Sequence, residues 1–269
     1  MKELLAFEFR KLWRSKSLWI CTIVMVVLNI ASVVITYSTQ RMINNLTGGS
    51  DMGLDIGGTL ITSSGLKSLV TSASGTNYTI MFAIFVTIFI CADFSEGTIK
   101  NILSRGFSRE QVYFAKSITI VTGGLVFSII AIASNFLAAV IAFGAGTGYS
   151  GTVIVILLVQ MLALAAYIMF DVLLAVLFTR AGGAMTLGII VPMVVPLLGQ
   201  LIDLALSSVF DSINFGDSVV TNYLIGNNLS TVSSLSVSGK DLLFGGIIFG
   251  VYIILFTLLG LLSIRKKEV

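Results

Sequence analysis

The chain has 269 residues, of which 56% are hydrophobic and 11% are charged, with a formal net charge of +3 and no histidine. An ordinary soluble domain carries about 25% charged residues, so this composition excludes a soluble globular protein and indicates a polytopic helical membrane protein. The absence of histidine makes the usual metalloprotease, Ser-His and Cys-His designs unavailable. Two cysteines near the predicted cytoplasmic ends of the first two spans argue against a disulfide framework.

Residues 1–17 are predicted to form an amphipathic helix that lies in the cytoplasmic interface of the membrane. One helical face carries Leu5, Phe9, Leu12 and Trp13, and the cations Lys2, Arg10, Lys11 and Arg14 lie mostly off that face. An apolar face with Trp at headgroup depth is typical of an interfacial helix. The alternative is a set of positive flanks that merely orient the first span.

Six apolar segments follow and are predicted to span the membrane as one domain of residues 18–264, since about 20 apolar residues cross a bilayer. They cover approximately residues 18–39, 78–92, 117–143, 152–179, 184–207 and 241–264. External regions are predicted at residues 40–77 and 209–240, with a short re-entrant or interfacial helix in the second. Residues 265–269 form a basic tail.

The positions of the cations predict the orientation of these spans. With the N-terminus inside, thirteen of the sixteen Lys and Arg residues are cytoplasmic, and only Arg41, Lys67 and Lys240 are external. Because positive charge concentrates on the cytoplasmic side, the sequence predicts an all-α membrane protein with both termini in the cytoplasm.

A polar segment at residues 93–116 separates the second span from the third. Residues 98–104 are predicted to form a short helix with Ile99, Ile102 and Leu103 on one face, between Gly97 and Gly106. A second helix is predicted to begin after Ser108, which is a plausible N-cap. A compact amphipathic helix between two spans cannot bury its apolar edge by itself, so this segment predicts a partner protein.

Several residues inside the spans stand out. Asp171 is an acid well inside the fourth span, with Tyr167 one turn earlier on the same face and able to hydrogen-bond to it. Such a carboxylate either lines a translocation path or makes a structural hydrogen bond between helices, and both interpretations stay open. Pro192 and Pro196 are predicted to kink or break the fifth span. Asp203 is expected to be solvated at the external end of that span.

The sequence offers no catalytic or metal-binding pattern. It has no GxxxxGK[ST] loop for ATP and no cluster of carboxylates for a metal. We therefore interpret the chain as non-catalytic, with no metal site. A GxxxG match at residues 246–250 favours a packing face or a dimer seam.

These features together resemble one family. The basic helix ELLAFEFRKLWRSKSLW precedes the first span, and the segment after the second span contains Glu96-Gly97-Thr98, Leu103-Ser104-Arg105-Gly106, Ser108-Arg109 and Ala115-Lys116. The layout resembles the permease subunits of bacterial ABC-2 type exporters, particularly the six-span permeases of Gram-positive peptide and antibiotic export or immunity systems. The resemblance covers the whole chain in layout, and its specific motif is confined to residues 96–116.

The resemblance implies a subunit that pairs with a second permease, identical or related, and with two cytosolic ATPases that carry ATP and Mg. It implies location in the bacterial cell membrane, no nucleic-acid partner, and as substrate an amphipathic peptide, an antibiotic or a lipid-like molecule. The implied ATPase-coupling residues are Glu96, Gly97, Thr98, Lys100, Asn101, Leu103, Arg105 and Arg109. Residues 2–16 become the connecting helix beside them, with Phe9, Arg10, Leu12, Trp13 and Arg14 as its marked positions.

Two rival functions remain open at this level. An ion-coupled secondary transporter would use Asp171, although the chain shows no second half with matching charges. A non-transporting immunity or binding protein would hold a ligand through its external regions. An intramembrane aspartyl protease is disfavoured because it needs two facing acids at depth.

Overall fold

A computed structural model describes residues 2–46, 64–147, 150–209 and 220–266. Every regular element in these ranges is helical. The helices in chain order are α1 (Lys2–Arg14), α2 (Lys16–Leu46), α3 (Gly65–Thr71), α4 (Thr76–Ser95), α5 (Thr98–Ser104), α6 (Arg109–Phe143), α7 (Gly151–Phe178), α8 (Ala181–Val209), α9 (Ile225–Val232) and α10 (Gly239–Lys266). The 3-10 turns Ser72–Ser74 and Thr221–Tyr223 precede α4 and α9.

Six of the described helices, α2, α4, α6, α7, α8 and α10, are long and apolar enough to cross a membrane. They confirm the predicted all-α fold with six candidate spans. The second of them has 20 residues, because the helix extends beyond the apolar run at both ends. The third is longer than its apolar part, because the predicted second polar helix and the third span form one 35-residue helix. Of the predicted terminal regions and loops, residues 1, 47–63, 148–149, 210–219 and 267–269 lie outside the described residues.

The core of the bundle lies around α4 and α7, whereas α8 stands at its edge with few buried side chains. Phe82, Phe85 and Phe127 are completely or almost completely buried, and their rings meet edge to face across α4 and α6. Successive spans run in opposite directions. One end, which we call the basic end, therefore carries α1, α5, the start of α6, the α7–α8 turn and the end of α10, and the opposite end carries α3 and α9.

Buried side-chain amides form hydrogen bonds between helices of the bundle. The Gln160 side chain on α7 donates to the Val70 carbonyl at 2.6 Å and to the Ser233 hydroxyl at 2.9 Å, so it joins α3 to the end of α9. Asn29 on α2 donates to the Ala131 carbonyl of α6 at 3.0 Å. Polar side chains inside a bundle are stable when they find such partners, and here they set the register between helices.

Two expectations about α8 need revision. The helix continues through Pro192 and Pro196, so the chain is not broken there, and a bend stays a prediction. Asp203 is half-buried rather than simply solvated. Its carboxylate accepts the backbone N–H groups of Val220 and Thr221 at 2.7 and 2.9 Å, together with the Thr221 hydroxyl. An acid that satisfies the unpaired N–H groups at the start of a helical turn stabilises that turn.

The glycines of α10 divide into buried and open positions. Gly246 and Gly250, the predicted GxxxG pair, have no atom within 4 Å of where a Cβ would stand, so they pack against nothing within the described chain. A Cβ at Gly260, in contrast, would lie 2.7 Å from the ring atom Cζ of Tyr113. The close approach of α10 to α6 at the basic end therefore requires glycine.

We expect Gly260→Ala to destabilise the protein by about 1–3 kcal/mol, because the buried Tyr113 ring has to move. Gly250→Ala is the matched control on the same helix and should leave stability unchanged or raise it slightly, because alanine favours helix. Thermal unfolding of both variants in detergent measures the difference. Equal melting temperatures would contradict the packing described for this contact.

Candidate functional site

The candidate site is α5 with its flanking turns at the basic end. Gly97 precedes α5 with φ of 67° and Gly106 follows it with φ of 90°. Glycine adopts this left-handed backbone without steric cost, so the chain can turn on both sides of a helix of seven residues. Ser108 then caps α6: its hydroxyl accepts the Gln111 N–H at 3.2 Å, and the Gln111 side chain accepts the Ser108 N–H.

The apolar face of α5 packs inward. Ile99 and Ile102 are buried, and Ile102 forms a cluster with Leu4 of α1 and with Val112 and Ala115 of α6. Burying a side chain of this size contributes about 1.5–3 kcal/mol. The short helix is therefore held by α1 and α6, and Leu103 and Phe107 complete this contact as half-buried residues.

The opposite face of α5 is open. Glu96, Lys100, Asn101 and Arg105 are exposed, whereas Gly97, Thr98 and Leu103 are half-buried. A groove of about 310 Å³ runs between α5 and α1, and Leu4, Phe7 and Arg105 are among the residues that line it. Seven of the eight predicted coupling residues therefore lie together on or beside α5. Arg109 lies apart from them, with its guanidinium donating to the Arg265 carbonyl at 3.5 Å.

The face of α1 that packs on the bundle is centred on Glu8, and the interfacial position of the face with Trp13 stays a prediction. Leu4, Glu8 and Leu12 are buried at i, i+4 and i+8, and Leu12 and the half-buried Phe9 pack on the main core. Arg10, Trp13 and Arg14 are exposed, with Trp13 at 49%. The inward face is thus rotated away from Trp13 toward Glu8. The indole of Trp13 instead lies beside Trp19 of α2, with ring centroids 6.4 Å apart.

Four charged side chains join α1, α4 and α6 in what we call the ion cluster: Glu8, Lys11, Asp93 and Lys116. Lys116 lies 2.9 Å from Glu8 and also pairs with Asp93, which in turn pairs with Lys11. Glu8 and Asp93 are 0% exposed. Breaking a buried pair on one side costs about 3–5 kcal/mol, because the remaining charge is left uncompensated. The cluster therefore fixes how α1 lies across α4 and α6.

No local sequence pattern identifies the ion cluster as a whole. In the sequence, Asp93 begins the polar segment, Lys116 ends it within the motif Ala115-Lys116, and Lys11 is an off-face cation of the first helix. One signal was present: Glu8 lies between Leu4 and Leu12 at helical spacing, on the side of α1 that turns out to be buried. A carboxylate on an apolar helical face requires a cation from elsewhere in the chain.

Asp171 and Tyr167 face different neighbours. Asp171 is 2% exposed, and a Cβ at Gly188 of α8 would stand 2.6 Å from its Oδ1 atom, which has no hydrogen-bond partner among the described residues. Tyr167 instead borders an apolar cavity of about 200 Å³ between α7, α8, α9 and α10. No hydrogen bond joins the two side chains in the described structure. Their assignment to a translocation path stays a prediction.

No group of three or more His, Cys, Asp or Glu side chains that could hold a metal ion comes together within residues 2–46, 64–147, 150–209 and 220–266. The absence of a cofactor from this chain therefore stays a prediction. At the basic end, Glu8, Asp93 and Glu110 each lie against a cation. These ion pairs hold α1, α4, α6 and α10 in their relative positions.

The fold defines a multi-pass membrane protein with six candidate spans. At the basic end, the short helix α5 packs on α1 and α6 and exposes its other face. Comparison with known families assigns the chain more closely. The sequence profile of the family described as "ABC-2 family transporter protein" matches residues 4–203. The chain belongs to this family and is a permease subunit of it. No curated protein matches the sequence.

We expect Lys116→Met to destabilise the protein by about 3–5 kcal/mol, because Glu8 and Asp93 lose their shared buried cation. Arg265→Met is the matched control: it breaks the exposed pair with Glu110 and should cost less than about 1 kcal/mol. Thermal unfolding in detergent compares the two. Similar small losses for both would show that the ion cluster contributes no more than a surface pair.

Proposed function

We propose that this chain is the membrane-spanning subunit of an ATP-driven exporter and that it docks on separate cytosolic ATPases through α5. The observation that carries the proposal is the two-sided character of α5. Its apolar side is buried against α1 and α6, while Lys100 and Arg105 stay exposed between the two glycine turns and Glu96 stays exposed just before the first of them. A helix held in this way presents a fixed set of charges to a partner, and charge complementarity gives specificity to such a contact.

The proposed mechanism follows the contacts behind α5. Closure of the ATPase dimer on ATP pushes α5 toward α1 and α6. The apolar cluster around Ile102 passes this push to both helices, and the ion cluster keeps α1 aligned with α4 and α6. The spans then move as rigid bodies and open a path at the seam between two permeases, a domain transition of a common kind.

The complete transporter in this proposal contains two ATPases with their ATP and Mg, and a second permease that is a copy or a paralogue. It lies in the bacterial plasma membrane with both termini in the cytoplasm. The concentration of cations at the basic end supports this orientation. Export of an amphipathic peptide, an antibiotic or a lipid-like molecule is the proposed activity, and it rests on the resemblance described above.

We expect the double change Lys100→Glu with Arg105→Glu to release the ATPase, because both exposed cations of the docking helix become anions. The measurement is co-purification in mild detergent, with the ATPase identified by mass spectrometry through its nucleotide-binding motif. Loss of one well-placed interfacial charge pair costs about 2–5 kcal/mol, so the double variant should retain less than a tenth of the ATPase.

The matched control is Arg180→Glu with Lys266→Glu, which makes the same charge change at exposed positions of the same end. It should retain the ATPase at the wild-type level. Both double variants should melt like the wild type, because none of the four side chains is buried. Unchanged co-purification of the α5 variant would contradict docking through this helix.

One observation keeps the ion-coupled carrier as a second candidate: Asp171 is buried, and its Oδ1 atom has no hydrogen-bond partner in the described residues. Intramembrane acids of this kind often carry protons. The permease reconstituted alone in vesicles, with a pH-sensitive dye inside, tests it. For the exporter we expect no proton flux, and no change in Asp171→Asn. A flux that Asp171→Asn abolishes, and the exposed control Asp241→Asn preserves, would favour the carrier.

A further inference from the structure

The connection between α1 and α2 forms a second charged surface, which we call the helix junction and define as residues 10–19. Ser15 alone separates the end of α1 from the start of α2. Its hydroxyl accepts the Leu18 N–H at 3.2 Å, and its own N–H donates to the Leu12 carbonyl at 3.0 Å. The backbone around Ser15 is therefore hydrogen-bonded to both helices, which fixes the positions from which the neighbouring side chains project.

Three cations of the helix junction have no partner among the described residues. Arg10, Arg14 and Lys16 are exposed, and none of them forms an ion pair or a hydrogen bond there. Arg10 and Arg14 are one helical turn apart, a spacing at which like charges repel. The neighbouring Lys11, in contrast, pairs with Asp93 in the ion cluster. The three exposed charges are therefore available to an anion.

The helix junction contains no carboxylate that could compete with such an anion. α2 has no acidic residue, and the two acids of α1 are Glu3 and Glu8. Glu8 is buried in the ion cluster, and Glu3 lies about 10 Å from Arg10 along the helix axis at 1.5 Å per residue. The cation of a zwitterionic ligand thus has no acid to pair with, so the charge of this surface favours a net anion.

Two tryptophans flank these cations. Trp13 and Trp19 are about half exposed, their ring centroids are 6.4 Å apart, and Trp19 Nε1–H donates to the Trp13 carbonyl at 3.2 Å. Tryptophan is enriched where the headgroups of a bilayer meet its hydrocarbon. The exposed side chains of Ile20 and Ile23 follow on α2, so the surface continues into the apolar face of a span.

Contacts along α6 give the depth of the helix junction. Glu8 of α1 pairs with Lys116, and one turn later Leu12 packs on Gly123, where a Cβ would stand 2.9 Å from the Leu12 methyl groups. After Lys116, α6 carries no charged residue and is about 40 Å long at 1.5 Å per residue. A bilayer with its headgroup layers is about 40–45 Å thick. The helix junction, near the start of this stretch, therefore lies at headgroup level.

A lipid fits this surface better than a second protein does. Across a two-fold axis, a second copy would bring the same three cations to the surface and repel it. The proposed ATPase contact lies on α5, whose neighbour on α1 is Leu4, more than two turns before Arg14. A phospholipid supplies both a phosphate for the cations and acyl chains for the exposed face of α2.

We propose that the helix junction binds the phosphate of an anionic phospholipid in the leaflet at the basic end. The phosphate lies beside Arg10, Arg14 and Lys16. The indole rings of Trp13 and Trp19 lie level with the glycerol backbone, and the acyl chains run along α2. An interfacial helix as such requires only a bilayer, whereas this site selects its lipid by charge. The site does not involve α5, so it and ATPase docking can fail independently.

The test uses the fluorescence of Trp13 and Trp19, the two tryptophans of the chain, which report on the helix junction alone. The full chain is reconstituted in equimolar phosphatidylglycerol and phosphatidylcholine with the same acyl chains. Bromine atoms, which quench tryptophan on contact, are placed near the headgroup on one lipid or on the other. The two quenching curves give the relative binding constant of the lipids at the junction.

We expect the wild-type protein to prefer phosphatidylglycerol by at least about fivefold, the effect of one basic residue beside an anionic lipid surface. Equal quenching by the two brominated lipids would overturn the proposal. Absence of quenching by either lipid would also overturn it, because a protein rather than a lipid would then cover the helix junction.

Substitutions locate the charge preference. Arg10→Gln with Arg14→Gln should lower the preference to less than about twofold, because Lys16 alone remains. Arg180→Gln with Lys266→Gln removes the same charge at exposed positions of the same end and should keep the wild-type preference. Both double variants should melt like the wild type, because all four side chains are exposed. An unchanged preference in the first variant, or equal loss in both, would overturn the proposal.

A last arm separates the lipid from a free anion. Inorganic phosphate is added to the wild-type protein, with sodium chloride of equal ionic strength as the control for screening. If the preference for phosphatidylglycerol is the same in both salts, the lipid is the ligand, as expected from the depth of the junction. If phosphate removes the preference and chloride does not, a free anion occupies the site and the lipid proposal is overturned.

Discussion

The buried carboxylate of Asp93 is the interaction on which the arrangement of the basic end depends. Asp93 lies at the end of the apolar part of α4, and its carboxylate pairs with both Lys11 of α1 and Lys116 of α6. Removing such charges from water costs several kcal/mol per ion, and only close pairing offsets that cost. The three helices therefore have few stable alternatives to the observed register. The position of α5 follows, because α5 rests on α1 and α6.

The sequence was sufficient for features that depend on local patterns. The six spans follow from uninterrupted apolar runs, and α5 follows from the spacing of Ile99 and Ile102 between two glycines. The cap of α6 follows from Ser108 alone, and the structure adds the reciprocal bond from Gln111. These are short-range properties, which depend on neighbours in the chain and not on the packing of distant helices.

The features that could not be predicted arise from contacts between residues far apart in the chain. The pairing of Glu8 with Lys116 crosses more than a hundred positions, and no spacing rule connects them. The same holds for the attachment of α3 to the end of α6, where the Gly65 and Leu66 N–H groups donate to the Gly144 and Ala145 carbonyls. The predicted solvation of Asp203 is wrong because its partners, Val220 and Thr221, come from the chain after α8. Polar groups inside a helical bundle have partners that only the tertiary structure identifies.

The length of α6 has a mechanical consequence. At 1.5 Å per residue its 35 residues form a rod of about 52 Å, much longer than the 30 Å hydrocarbon layer. Its first turns contact α5 and contribute Lys116 to the ion cluster, and the residues just beyond its last turn accept backbone hydrogen bonds from the start of α3. A rod of this length that tilts by about 5° about one end displaces the other by roughly 4–5 Å. A small rotation at the basic end is thus amplified into a side-chain-sized movement on the far side of the membrane.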